Sequence, residues 1–473
     1  MLGALFGLDP VPAAQCRVLE LGCGDAVNLL SMAQTLPRAS FVGIDASAAA
    51  LDRGSGLARA AGLANVELRV AQLEALPGDL GDFDYIVSHG VYSWVSPQAR
   101  AGLLACCSER LTSDGIAYVS YNAYPGCHLR DMTREILQYH LRGVEDPDTQ
   151  LEQAQRLMQT IVAIDDPSLY ARALREQMER MLGYSDALLL HDDLAEISTP
   201  FYFHEFVEHA AAHGLQFLSE ADLFESRMDG VPATAAGLFE TVSDDPLARE
   251  QYMDFFKNRT FRRTLLCRAQ LQVRRSIADV HLERFAISSS AQPVSEDGEA
   301  PRETFATLEG HSVTTSEPLV LAALHALAAA WPAALGFAEL LARSIVDSET
   351  PPKGAAARLR AVLLESYAAR VVQLQSVAPP VSATAGERPT ASPLARAQCA
   401  AGLPVVSSLL HANARLEGEL EPVLLPLLDG TRDRRTLNAE LSARGGSQVG
   451  RTSTQREIDT TLARFSSSGL LLA

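Results

Sequence analysis

Lysine is almost missing from this 473-residue chain: Lys257 and Lys353 are the only two, so arginine carries nearly all of the positive charge. Alongside the abundant alanine this fits a codon bias, and it assigns no function. Positive charge is also scarce overall, with 40 Lys and Arg against 58 Asp and Glu and a net charge of -18. Phosphate binding relies on basic surface, which argues against nucleic acid as the main substrate. The seven cysteines (Cys16, Cys23, Cys106, Cys107, Cys127, Cys267, Cys399) are odd in number and lack a C-x-x-C pair. That excludes a disulfide framework and a zinc knuckle and points to a reducing compartment. No long hydrophobic run is uninterrupted. Residues 318–342 come nearest, but His325, Pro332, Gly336 and Glu339 break them into two short packed helices, and no membrane span is expected. The apolar start has no basic residue before Arg17, hence no charged region of a secretory signal, and a cytoplasmic protein is expected.

What the chain does have is a cofactor motif. Residues 17–21 (Arg-Val-Leu-Glu-Leu) read as a buried strand, and Gly22-Cys23-Gly24 allows a tight turn where a side chain would collide with a ligand. Residues 28–36 read as a helix stopped by Pro37. Residues 41–44 form the next strand and bring Asp45, followed by Ala46, to its carboxyl end, where a carboxylate accepts from both ribose hydroxyls. A dinucleotide fingerprint needs Gly or Ala three residues after the second glycine, and Val27 stands there. NAD and FAD are therefore disfavoured. S-Adenosylmethionine carries no phosphate and needs only the close backbone approach of Gly22 and Gly24, with Glu20 near its cationic amino-acid moiety; a ligand-free structural turn is the other alternative.

Further along, residues 47–62 read as a helix, 66–70 as a third strand, 83–88 as a fourth, 98–111 as a helix and 116–121 as a fifth strand. Gln72, Leu73 and Glu74 then fall where an adenine would be read. This alternation predicts an α/β fold with a parallel, doubly wound, Rossmann-like sheet. Residues 128–159 and 168–190 instead have helical periodicity, which predicts a helical insertion serving as lid, dimer surface or both. Strand signal returns at 199–203, followed by a helix at 205–212 and a strand at 215–218. The basic run 254–275 reads as a solvated face with interdomain ion pairs, the alternative being an anion or RNA contact. The expected organisation is a cofactor-binding core at 1–127 and 196–230, the insertion at 128–195, a segment with linker at 231–309 in which 288–309 is a linker or edge hairpin, a helical domain at 310–376, a flexible tether at 377–393 and a small module at 394–473.

Four stretches, Leu19-Glu-Leu-Gly-Cys-Gly-Asp, Ser88-His-Gly-Val-Tyr-Ser-Trp-Val, Ser120-Tyr-Asn-Ala-Tyr-Pro-Gly and Phe261-Arg-Arg-Thr-Leu-Leu-Cys, resemble the bacterial class I methyltransferases with a methyltransferase regulatory domain. That group includes outer-membrane-protein lysine methyltransferases. The likeness runs to about residue 275 and continues more weakly through residues 392–396 and 428–433. It implies a homodimer and mainly α, winged-helix-like accessory domains after the core. By position it assigns Glu20, Gly22, Cys23, Gly24, Asp45, Ala46, Gln72, Leu73 and His89 to the cofactor, Gln72 standing where the family often has Asp. It places His89, Tyr92, Trp94, Tyr121, Asn122 and Tyr124 around the methyl group, all but Trp94 as catalytic residues. Cys127 replaces a family Trp, and the aromatic and acidic N-terminal stretch that helps close the family's cofactor pocket has no counterpart before Arg17.

The chemistry expected is an in-line displacement at the sulfonium methyl, in which positioning and electrostatics matter most. Tyr92, Tyr121 and Tyr124 can surround a methylated ammonium and Asn122 can orient the amine; the alternative makes the tyrosines packing residues and Asn122 a turn residue. His204 and His209 are five apart, about 140° around a helix, which is wrong for chelation, and no metal is expected. His191-Asp-Asp reads as an acid/base cluster or, more simply, a helix-end cap. The leading reading is a protein lysine N-methyltransferase. A small-molecule N- or O-methyltransferase is the alternative, and a noncatalytic cofactor-binding scaffold the third.

Overall fold

The computed structural model describes residues 1–277, 279–294, 302–345, 353–444 and 455–473. Seven strands form the central sheet: β1 (Arg17–Leu21), β2 (Ser40–Asp45), β3 (Val66–Val70), β4 (Phe83–Ser88), β5 (Leu111–Asn122), β6 (Leu215–Glu220) and β7 (Phe261–Arg268), in the order β3-β2-β1-β4-β5-β7-β6. Strands β1 to β5 are parallel, while β7 runs antiparallel between β5 and β6. In β1 only Arg17 escapes full burial, as a central strand covered on both faces requires. The chain winds outward one way from β1 to β3 and then the other way from β4. The crevice beyond the carboxyl ends of β1 and β4 is therefore the place where such a sheet binds ligands.

Local chemistry sets the connecting helices. After the short α1 (Leu2–Leu5) and α2 (Val27–Thr35), the hydroxyl of Ser47 caps α3 (Ala48–Ala60) by accepting from the amide of Ala50. Ser96 does the same for α4 (Pro97–Arg110), where Pro97 sits in the first turn, whose amides have no helical partner. The insertion contains three longer helices, α5 (His128–His140), α6 (Pro147–Val162) and α7 (Leu169–Leu182), which bury Leu137, Ala154, Met158 and Met178 against one another. The continuous helix expected over 128–159 breaks after His140, where Gly143 takes φ +80 and Pro147 opens the next helix.

Four expectations need correction. The core does not end at 230, because the basic run supplies β7, and the sheet is mixed rather than wholly parallel. Arginines hid this strand from a polarity-based reading; Arg262 is 1% exposed, its charge met inside the protein. Residues 199–203 form no strand, and only an isolated bridge joins Phe201 to Ala123. Residues 377–393 are no free tether: Val381 and Ala391 bridge to Leu472 and Leu471, and Thr390 bridges to Asp429.

After β7, a three-stranded sheet (Ala286–Ser288 between Leu335–Gly336 and Gln373–Gln375) packs with helices Pro318–Ala330, Phe337–Ser344 and Ala355–Ala368. Their apolar faces share one core with Leu2 and Leu5 of α1 and with Ile116 and Leu218 of the sheet. Within the expected linker, Gln292–Val294 and Glu303–Ala306 pair as strands and 295–301 lie outside the described residues. The C-terminal module joins helices Pro393–Ala400, Arg434–Arg444 and Gln455–Ser467 to the hairpin Val405–Ser407 and Asn413–Arg415; its residues 445–454 lie outside the described residues. It docks behind the cofactor loop, with Leu394 buried in the core of α2 and α3 and the His411 ring between the hydroxyls of Ser31 and Thr35. Among the described residues no helix is long and apolar enough to cross a membrane.

Candidate active site

The glycine loop follows β1 with Gly22 at φ +74 and Gly24 at φ +56, and a Cβ on Gly22 would lie 2.4 Å from the Val91 side chain. Only glycine meets both demands there. Across the loop, Asp45 is held by two backbone amides, Gly24 N to Oδ2 and Ser47 N to Oδ1, both at 2.8 Å. Each oxygen keeps lone-pair capacity for a further donor. A cavity of about 400 Å³ opens beside them, lined by Gly22, Asp45, Ala46, Gln72, Leu73 and Glu74 on one side and by Gly90, Val91 and Trp94 on the other. Its size suits a nucleoside-type ligand.

Glu20 lies beneath the loop, 4% exposed, with Oε1 accepting from Asn28 at 2.9 Å and Oε2 without a hydrogen-bond partner among the described residues. Burial pushes its carboxyl up to about 7, and the Asn28 bond opposes that only in part. A cationic group is the ligand such an orphaned oxygen calls for. Cys23 shares this surrounding; burial and the carboxylates of Glu20 and Asp45 push its thiol up to about 12, which leaves it an inert packing group. These features fit S-adenosylmethionine, with Asp45 for the ribose hydroxyls, Glu20 for the amino group and the 71–74 backbone for the adenine. Gly102 of α4 was not singled out in the sequence, yet a Cβ there would stand 2.2 Å from the Leu73 carbonyl. That close approach fixes the cavity wall at Leu73.

Gly90 and Trp94 also line a second cavity of about 410 Å³, which includes Asn122, Cys127, Arg130, Tyr184, Asp193 and Phe261. Of the six residues expected around the methyl group, His89, Trp94 and Asn122 are there. Asn122 is 5% exposed and its Nδ2 has no hydrogen-bond partner among the described residues. The His89 Nδ1 lies 2.9 Å from the Tyr118 hydroxyl, and burial together with Arg263 lowers the imidazole pKa. Cys127 is buried beside them and donates to the Thr260 carbonyl at 3.2 Å.

The other three stand elsewhere. Tyr121, one residue before Asn122 on β5, faces the opposite side of the sheet and stacks on Phe206 with centroids 4.1 Å apart. Alternation along the strand decides this. Tyr92 is fully buried in the same core, its hydroxyl 2.5 Å from His209 Nδ1, because its short turn (Tyr92–Trp94) sends it inward and Trp94 outward. Tyr124 stacks on His128 and donates to Asp131 at 2.6 Å, outside the second cavity. His204, far from chelating, meets the Gln251 side chain. The basic run divides: Arg262 is buried against Glu220, Glu250 and Asp254, whereas Lys257 and Arg263 line a third cavity that shares His89, Thr260 and Phe261 with the second.

Comparison with known proteins agrees with this architecture. The methyltransferase domain family matches residues 18–115, the "predicted methyltransferase regulatory domain" family matches 185–268, and the "PKMT, C-terminal winged helix domain" family matches 387–469. Two uncharacterized proteins of Rickettsia prowazekii are similar, one 37% identical over 211 residues (44% of this chain, 84% of the relative), the other 33% identical over 294 residues (62% of this chain). In the second the match spans 53% of the relative's length. Among solved structures, PKMT2 from Rickettsia typhi, also solved in complex with AdoHcy, superposes with a TM-score of 0.87 at 27% identity, covering 100% of this chain and 97% of that one. The chain belongs to the class I methyltransferases that carry a methyltransferase regulatory domain and a PKMT-type C-terminal winged helix domain.

Proposed function

We propose that the chain is an S-adenosylmethionine-dependent methyltransferase whose acceptor is a lysine side chain of a protein. The observation that carries this reading is that the two cavities share Gly90 and Trp94 in their walls, which sets a second chamber beside a cofactor-sized crevice. Full-length similarity to PKMT2 favours a protein acceptor. When bound, the cofactor supplies an electrophilic sulfonium methyl. Asp45 accepts from its ribose hydroxyls, and Glu20, ionised by the neighbouring ammonium, anchors its amino-acid end. The acceptor nitrogen must be neutral and in line at the moment of transfer, so Asn122 orients it while Trp94, Tyr184 and Phe261 provide aromatic faces for the methylated cation. With Nδ1 of His89 tied to Tyr118 and its imidazole pKa lowered, Nε2 is the ring atom that can take the amine's proton.

A small acceptor is the second reading, favoured by one observation: Gln177, Arg180 and Met181 of α7 wall the chamber from the insertion side. The test is incubation with methyl-labelled cofactor and, in parallel, a cell-envelope protein extract and a metabolite extract. Label on protein lysines is expected. Label confined to small molecules supports the second reading, and retained cofactor binding without transfer supports a scaffold. The same proposal includes a homodimer built on the insertion, where Tyr139, Leu169 and Tyr170 are 67%, 76% and 58% exposed, in the reducing cytoplasm that seven free cysteines suit.

A further inference from the structure

The Asp192-Asp193 pair, a helix-end cap in the simplest sequence reading, lies in the wall of the acceptor chamber. Asp193 closes a π-helical turn (Leu189–Asp193) at the end of the insertion and is 0% exposed. Arg130 donates from Nε to its Oδ1 at 2.8 Å, with the Arg130 guanidinium 5.5 Å from the Trp94 ring centroid. Arg134, 4% exposed, pins the segment by donating to the carbonyls of Asp192, Asp193 and Ala195. The carboxylate is thus fixed in place with one oxygen engaged. Its Oδ2 is buried and has no hydrogen-bond partner among the described residues. Burying an acceptor this way costs free energy that a helix cap has no reason to incur, and a cap uses its oxygens on backbone amides. Asn122 Nδ2 is a second buried polar atom without a partner in the wall of the same chamber. Two such atoms around one cavity describe a polar ligand.

We infer that Asp193, brought to the chamber by the insertion, is the residue that receives an N–H of the acceptor ammonium through Oδ2, so the chamber distinguishes lysine nitrogens by whether they still carry a proton. This rests on the lysine reading above and extends it to the methylation state. Unmodified, monomethyl and dimethyl ammonium groups all keep at least one N–H and can satisfy Oδ2. A trimethylammonium has none: the aromatic faces of Trp94, Tyr184 and Phe261 attract its charge, but Oδ2 stays unpaired. The fully methylated product is thereby the weakest ligand of the series, which favours its release.

The experiment measures competition against labelled acceptor by four peptides differing only in one lysine: unmodified, mono-, di- and trimethyl. With the unaltered protein, the first three should compete within about threefold of one another and the trimethyl peptide about tenfold more weakly, the scale of one charge-assisted hydrogen bond. In Asp193→Asn, which keeps an oxygen for Arg130, the trimethyl penalty should shrink towards one while cofactor affinity stays at its original value. Asp193→Glu, which restores a carboxylate, should bring part of the penalty back. Trimethyl-lysine competing as well as dimethyl-lysine in the unaltered protein would overturn the assignment of Oδ2 and leave lysine methylation standing. If no lysine peptide competes or accepts label while the cofactor still binds, the lysine reading falls and this inference with it.

Discussion

At Glu20 a carboxylate sits almost without solvent, holds one hydrogen bond from Asn28 and has its titration pushed up to about 7. The folded state therefore binds this proton more tightly than the unfolded chain, whose glutamates titrate near the ordinary value of 4.5. The sign follows: Glu20's contribution to stability is fully present below the unfolded value and is lost as pH rises from there towards 7, on the order of 3 kcal/mol. A cationic ligand beside Oε2 reverses the preference. Cofactor affinity should rise up to tenfold per pH unit below about 7 and level off above it, with one proton released per ligand bound at pH 6. Calorimetry in two buffers of different ionisation enthalpy measures that release, and Glu20→Gln should abolish the dependence. An unchanged profile in the variant would remove Glu20 from the cofactor site. The same scale shows where residue type misleads. Tyr121 and Asn122 are adjacent in the sequence and both look functional, yet neighbours on a strand face opposite ways and Asn122, not Tyr121, lines the second cavity.

Strand β7 shows how one element can be held by charge inside a core. Arg262 is bidentate on Asp254, with Nε and Nη2 both at 2.8 Å, and reaches Glu220 at 2.6 Å and Glu250 at 3.0 Å, its guanidinium 4.0 Å from the Phe203 ring centroid. These contacts join β7 to β6, to the helix Pro246–Lys257 and to the helix Phe203–Ala212. Arg262→Ala would leave Glu220 without its ion-pair partner and Glu250 and Asp254 with Arg259 alone, and chemical denaturation should show a loss of about 3 to 5 kcal/mol. A loss below about 1 kcal/mol would mean that water or Arg259 takes over the pairing. The apolar positions of β7 could have been read as a strand, since Thr264, Leu266 and the buried Arg262 share one face. Its arginines obscured that pattern, because a local reading cannot tell which charges find partners.

Over the whole molecule, the insertion packs inward on its own core and outward leaves Tyr139, Ile164, Leu169 and Tyr170 in water. The proposed homodimer would cover these exposed apolar side chains. Light scattering at micromolar concentration should give twice the chain mass, and Leu169→Glu with Tyr170→Glu should return it to the monomer with cofactor affinity intact. A monomer in the unaltered protein would refute the proposed dimer. The accessory modules brace the core from behind: the C-terminal one meets α2 through His411, and the preceding one encloses α1.

The sequence alone located the glycine loop and the acid that line the first cavity. Glycine conformations, the acid at the end of a strand and the absent third glycine are local consequences of residue type, and the motif sits in a few dozen consecutive residues. It also determined the strand and helix alternation as far as β5, where apolar periodicity is strong. Tertiary structure decided how the second cavity is assembled. Asn122, Arg130, Asp193 and Phe261 come from β5, α5, the end of the insertion and β7, elements up to 139 positions apart that meet only when β7 inserts beside β5 and the insertion folds back over the sheet. Which buried oxygen keeps a partner and which is left without one depends on that packing, and no pattern along the chain records it.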